Sequence, residues 1–313
     1  MKVFVIGATG LVGTYLIPKL IGAGHSVYAL TRSENKTERI RNLGAHTIVG
    51  DIRDPVCFVE KLPSGLGCIV LLAMPGVVPG KRLSKRIKEE LRTETNDFFK
   101  NSMDLAVRYG IPVILPGGTS YHTTIDEVAD ETWPIRRAGI TEIGKDTDEM
   151  VARAIQTGQP KVIQLIYGKI YGNGGLFRFM YNMVKKGRFK IIGEGNNYIP
   201  NIHAFDAASA IVHAIEIMPI GERFIIADDT PASQKEFVCL MADLLNKKQP
   251  GKIPGFIVRM VIGRDFYEVI RMDCKVTNAK AKRILNWVPE FPSFREGLRD
   301  VIQEMKERAP YFG

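Results

Sequence analysis

Gly7, Gly10 and Gly13 recur at intervals of three directly after the hydrophobic run Val3 to Ile6, with Ala8-Thr9 and Leu11-Val12 between them. A glycine loop between a strand and a helix is an anion cradle. Its first glycine permits the tight turn and its second lets the backbone approach a diphosphate. The third lets helix and strand pack closely while the helix N-terminus faces the charge. Thr14 to Ile21 continues with helical periodicity, so the loop has the strand-before, helix-after context that a dinucleotide site requires. The next hydrophobic run ends in Ala29-Leu30-Thr31-Arg32-Ser33. An acidic residue at that place accepts hydrogen bonds from a ribose 2′-hydroxyl and repels a 2′-phosphate. Here Thr31 stands in the acidic position and Arg32 follows, offering a guanidinium to a 2′-phosphate beside Ser33. NADP(H) is therefore expected over NAD(H). Glu34 is the one nearby residue that would favour the unphosphorylated ribose in another register.

A second group of polar residues follows the fifth hydrophobic run. Gly117-Gly118 would bring backbone close to a ligand, which makes Thr119 and Ser120 candidate pocket hydroxyls, with Tyr121 and His122 just beyond. Further along, Ile253 to Met272 mixes apolar residues with Arg259, Arg264 and Arg271. It is expected to form an amphipathic helix pair roofing an apolar pocket, which would exclude water from a hydrophobic carbonyl or enone substrate.

Short β-branched runs, at Val3 to Ile6, Ser26 to Thr31, His46 to Val49, Cys68 to Ala73, Pro112 to Leu115 and Lys161 to Ile166, alternate with amphipathic stretches. That rhythm is βαβ. Continuous apolar strands such as Cys68 to Met74 need cover on both faces, so the expected fold is α/β: a doubly wound parallel sheet with a smaller C-terminal substrate lobe. The rhythm changes near Gly172, and the expected division is 1–171 with 203–217 returning to it, against 172–202 and 218–313. Asp206 to Ile217 reads as a helix, Arg223 to Ala227 as a strand, and Ser233 to Asn246 as a helix opened by a serine cap.

The composition is ordinary for a globular chain: 313 residues, 45% hydrophobic and 25% charged, which excludes disorder and collagen-like repeats. Cys57, Cys68, Cys239 and Cys274 show no CxxC spacing, so neither a zinc site nor another metal centre is expected. No apolar run is long enough for a membrane span, and the opening MKVFVIGATG turns into glycines where a signal peptide would stay hydrophobic. A cytoplasmic protein with no membrane partner is expected. The net charge of +9 suits a phosphate-bearing cofactor or substrate rather than demanding nucleic acid, and the basic stretch Lys81 to Arg92 reads as a solvated helix face.

With these residues in place, the chain resembles the short-chain dehydrogenase/reductase superfamily, in its extended or atypical branch of epimerase/dehydratase-like proteins. Gly50-Asp51-Ile52-Arg53-Asp54 is similar to the family motif in which Asp51 would contact the adenine amino group and Ile52 its ring face. Ala73 and Met74 match the place where backbone passes under the cofactor ribose. Gly193-Glu194-Gly195 through Ile202-His203 to Asp206, and Asn278 through Trp287 to Leu298, resemble the family's later signatures. The resemblance implies a small-molecule substrate and a possible homodimer.

It also exposes a break. Family enzymes generally use a Tyr-x-x-x-Lys pair, whose cation lowers the phenol pKa and holds the nicotinamide ribose. Lys145 fits the lysine and Glu149 a frequent acidic neighbour, but Thr141 occupies the tyrosine position. Three alternatives follow. Tyr167 or Tyr121 supplies the phenol; or Lys145, or water on Thr141, relays the proton; or the fold only binds NADP(H), as in regulator-like members. A sugar-nucleotide epimerase or dehydratase is a further option, weakened because Ile199 and Ile166 stand where relatives place arginines, which leaves Arg178, Lys185, Lys186, Arg188 and Lys190 to meet an anion from other directions. The leading expectation is an NADP(H)-dependent oxidoreductase acting on a small carbonyl or alcohol.

Overall fold

Six of the hydrophobic runs become neighbouring strands: β1 (Lys2–Ile6), β2 (Ser26–Thr31), β3 (His46–Val49), β4 (Leu66–Leu71), β5 (Val113–Gly118) and β6 (Val162–Tyr167). The computed structural model describes residues 1–76, 82–124 and 126–307. Within it these strands and an edge strand, Arg223–Ile226, form one parallel sheet in the order β3-β2-β1-β4-β5-β6-edge. Chain order reverses between β1 and β4. In such sheets ligands bind in the crevice outside the carboxyl ends of the strands at that switch.

Strand periodicity divides the core in two. Val3 and Val5 of β1 pack with α1 (Leu11–Gly22) through Leu16, Ile17 and Leu20, while Phe4 and Ile6 face the opposite layer. After β2 comes the short α2 (Thr37–Asn42). The opposite layer holds α3 (Lys85–Tyr109) and α4 (Lys145–Thr157), with Phe98, Phe99, Met103, Val151 and Ala154 buried. Ser84 caps α3 by accepting from the Ile87 N–H at 3.2 Å, so the basic stretch is the start of a helix from Lys85, Lys81 lying outside the described residues.

β5 is longer than its sequence suggests. The apolar run ends at Leu115, yet Pro116-Gly117-Gly118 continues the strand and pairs with Leu165-Ile166-Tyr167. β4 accompanies β5 only as far as Ile114, so Pro116 lies where one edge is free and its missing donor is tolerated.

The second lobe gathers α5 (Gly175–Lys185), α7 (Gln234–Leu244) and α11 (Phe294–Glu307) around Tyr171, Phe177, Phe237 and Phe294. Between them in sequence, α6 (Ala204–Ile217) returns to the α1 face. Ser233 opens α7 with a reciprocal cap to Glu236. Then follow α8 (Gly255–Ile262), α9 (Arg264–Ile270) and α10 (Ala279–Leu285). The division expected at residue 218 is crossed twice. Phe224, Ile225 and Ile226 complete the central sheet beside β6 because all three are apolar and need cover on both faces. Ala281, Leu285 and Trp287 join the α1 and α6 core, where the Trp287 indole donates to Ser209 Oγ at 2.9 Å. No helix among the described residues is long and apolar enough to cross a membrane.

Candidate active site

The glycine loop sits at the switch point. Gly7 has φ +90°, and a Cβ there would lie 2.4 Å from the Ala73 nitrogen. The Leu72 and Ala73 N–H groups both donate to the Ile6 carbonyl, pressing the end of β4 against the turn. A Cβ on Gly13 would lie 2.3 Å from the Ala8 carbonyl. Gly10 differs in degree: its nearest neighbour would be the Gly7 oxygen at 3.3 Å, a tight contact that a shift of a few tenths of an ångström relieves. Gly10 caps α1 without a side chain, and no acid stands in the first turn, which leaves the N–H groups around Leu11, Val12 and Gly13 without a side-chain acceptor. This donor-only concavity fits a dinucleotide diphosphate.

A groove of about 230 Å³ runs from this loop along the strand ends, lined by Gly7, Thr9, Gly10, Arg32, Asp51, Ile52, Ala73 and Met74 together with Thr31, Glu94 and Phe98. Arg32 is exposed at its rim. Thr31 is buried, and its Oγ1 accepts the Ser33 N–H at 3.3 Å, so threonine shapes the turn that presents Arg32. Ser33 itself and Glu34 fall outside the lining, Glu34 in the 3-10 turn Glu34–Lys36. Asp51 accepts from Arg53 Nε at 3.1 Å and Nη2 at 2.5 Å, and this guanidinium holds its carboxyl below the usual range.

Lys145 is exposed and opens α4, away from that lining. Thr141 lies one 3-10 turn earlier, in Gly139–Gly144, where its Oγ1 donates to the Ala138 carbonyl at 2.9 Å and accepts the Ala138 N–H at 3.0 Å. The hydroxyl is therefore committed to its own backbone. The two phenols are also placed differently from what a proton donor needs. Tyr121 is packed among Ala129, Ile166 and Cys274, and burial, aided by Glu131, pushes its phenol up to about 12. Tyr167 shares a face with Ile163 and Leu165 in the α1 core, opposite the layer that α4 covers, and burial raises its pKa far above the ordinary value. Thr119 donates its N–H to the Tyr167 carbonyl. Ser120 is 1% exposed with Oγ unpartnered, and its carbonyl accepts the Arg136 N–H at 2.6 Å.

Of the helix pair α8–α9, α9 packs on the Gly139–Gly144 turn. A Cβ on Gly139 would lie 2.0 Å from the Asp265 carbonyl, and Lys88 on α3 pairs with Asp265 at 3.1 Å. The apolar residues Phe256, Met260 and Val261 of α8 face outward.

The sheet order, glycine loop and groove have counterparts among known proteins. A profile of the NAD dependent epimerase/dehydratase family matches residues 3–227. The chain belongs to this family. Its relatives include YLL056C, an uncharacterised protein of Saccharomyces cerevisiae, 38% identical over 96% of this chain and 98% of its own length. A Stigmatella aurantiaca ketoreductase of a farnesylated dihydroquinoline-1-oxide is 23% identical over 81% of this chain and 76% of its own. Among solved structures, human epimerase family protein SDR39U1 with NADPH superposes with TM-score 0.78 at 21% identity, covering 97% of this chain and 99% of that one.

Members of the epimerase/dehydratase family bind a nicotinamide cofactor, and the fold is that of an NAD(P)-dependent oxidoreductase. Two groups in the groove have no mark in the sequence. Glu94 and Phe98 reach the groove from one face of α3, a pair four apart that only the placement of the crossover reveals. Outside the groove, Arg137 meets Asp148 in a two-point ion pair across a spacing that carries no motif, and Arg178, a candidate anion ligand in the sequence, is held by Asn173.

Proposed function

We propose that the chain is an NADP(H)-dependent oxidoreductase that transfers a hydride to or from a small carbonyl or alcohol substrate. The observation that carries this reading is Arg32 at the rim of the groove, with Thr31 in place of an acid and Glu34 outside the lining. A guanidinium there forms charge-assisted hydrogen bonds with a 2′-phosphate and gains nothing comparable from a hydroxyl. The NADPH in the human relative and the ketoreductase among the curated relatives support the same choice, while other structural neighbours hold NAD. The nicotinamide, when bound, supplies the redox chemistry. In this reading Gly7, Thr9, Gly10 and the first turn of α1 bind the diphosphate, Asp51 and Ile52 the adenine, and Ala73 and Met74 the ribose side. Lys145 orients the second ribose and passes the proton through water. Thr119, half-buried, presents its hydroxyl to the substrate oxygen, and the buried Ser120 with Thr141, Tyr121 and Tyr167 serves the packing.

The test is NADPH oxidation followed by absorbance against a panel of ketones, aldehydes and enones. Turnover of at least one class, lost in Lys145→Met, is expected. Tight NADPH binding with no turnover of any panel member would replace this reading with a non-catalytic NADP(H) sensor.

A further inference from the structure

The loop Gly172-Asn173-Gly174-Gly175 joins the short strand Lys169–Tyr171 to α5, and it lies against the start of α1. A Cβ on Gly172 would sit 3.2 Å from Leu11 Cδ1, and one on Gly174 3.5 Å from the same atom. The N-termini of α1 and α5 thus meet across one leucine side chain. α5 begins on Gly174 with no capping side chain and no acid in its first turn. Asn173 is 0% exposed. Its Oδ1 accepts from Arg178 Nη1 at 2.7 Å, which holds the amide beside the open first turn, and its Nδ2 has no partner. Arg178 is half-buried and forms no salt bridge among the described residues.

The groups this loop and helix turn offer are donors: the unpartnered Asn173 amide nitrogen, the remaining N–H groups of the Arg178 guanidinium and the first N–H groups of an eleven-residue helix. Such a set is complementary to an oxyanion and to little else, since a buried donor left unpaired is costly. The anion that the fold brings nearest is the diphosphate on α1, across Leu11. We propose that Asn173, Arg178 and the first turn of α5 form a second anion cradle, which clasps the cofactor diphosphate from the second lobe opposite the Gly7 to Gly13 loop. This rests on the reading of the groove as a dinucleotide site. Because Phe177, Met180, Tyr181 and Val184 of α5 are buried in the second lobe's core, the clasp couples cofactor binding to the position of that lobe.

Calorimetric titration separates the possibilities. NADPH carries the diphosphate, whereas adenosine 2′-monophosphate offers the adenine end alone. Arg178→Ala is expected to weaken NADPH by about ten-fold or more while leaving adenosine 2′-monophosphate within about two-fold. Arg178→Lys should recover part of the loss, and Asn173→Asp, which places a carboxylate in the cradle, should weaken NADPH at least as much as Arg178→Ala. Unchanged NADPH affinity in Arg178→Ala would overturn the clasp and leave the cofactor reading intact. A rise confined to the substrate KM would also overturn it, assigning the cradle to an anionic substrate group. Wild-type protein that ignores NADPH would remove the underlying reading itself.

Discussion

Arg137 grips Asp148 at two points, Nε to Oδ2 at 2.5 Å and Nη2 to Oδ1 at 2.7 Å, directly over Gly144, the residue before Lys145. A Cβ on Gly144 would fall 2.8 Å from the guanidinium carbon, so glycine is required for the pair to lie there. Arg137 Nη1 also donates to the Thr141 carbonyl at 3.2 Å. The pair therefore fixes the turn that launches Lys145, with the acid in the first turn of α4 where the helix dipole favours it.

Both partners are less than a fifth exposed, and removing one leaves the other poorly solvated. Asp148→Ala is expected to lower stability by about 2 kcal/mol in denaturant unfolding and to reduce kcat more than it raises KM. Unaltered kcat at full saturation would show that the turn holds Lys145 without the pair.

Gly7 and Gly10 separate folding from binding. Gly7→Ala forces both a φ of +90° and a contact of 2.4 Å with backbone, so a loss of about 2 kcal/mol or more is expected in thermal or denaturant melts. Gly10→Ala meets only the Gly7 oxygen at 3.3 Å, at a φ open to any residue, and should lose clearly less stability than Gly7→Ala. Its added methyl occupies the approach to the diphosphate, so NADPH affinity should fall about ten-fold or more. Equal stability in the two variants would contradict the assignment of their roles.

For the proton route, Tyr121→Phe and Tyr167→Phe should leave kcat within about two-fold, whereas Lys145→Met should lower it about a hundred-fold. The measurement is steady-state turnover with whichever carbonyl the panel identifies. A collapse of kcat in either phenylalanine variant would return that phenol to the chemistry.

A buried carboxyl and a half-buried amine act on stability in opposite senses. Burial, helped by Asp229, pushes the Asp228 carboxyl up to about 8 against the backbone donors Thr230 and Phe294. The folded state then holds a proton that the unfolded state has released, so this group's contribution to stability is lost as pH rises from about 4 through about 8. Burial lowers Lys169 to about 8, so its penalty is present below that pH and fades as pH rises toward 10.5. In melts across pH, the stability gained by Asp228→Asn should grow between pH 5 and 8, and that gained by Lys169→Met should shrink above pH 8. Parallel pH profiles for both variants and wild type would refute this.

β2 and β3 fall on the residues their β-branched runs mark, because each run ends at a polar turn, and the Gly7 loop announces its conformation through spacing alone. β5 outruns its apolar stretch, which ends at Leu115, because Pro116-Gly117-Gly118 is extended only where β6 offers partners. The period of two in β6 places Tyr167 with Ile163 and Leu165, but only the topology shows that α4 covers the other face. Pairs such as Arg137 with Asp148, or Leu11 with Gly172, join segments whose meeting no local pattern encodes.

Selection of the phosphorylated cofactor by Arg32 is best tested by titrating one preparation with NADPH and NADH, alongside Arg32→Ala. NADPH should bind at least about ten-fold tighter than NADH, and the alanine variant should erase that advantage while leaving NADH unaffected. Equal affinities in the wild type, or a preference for NADH, would contradict the account.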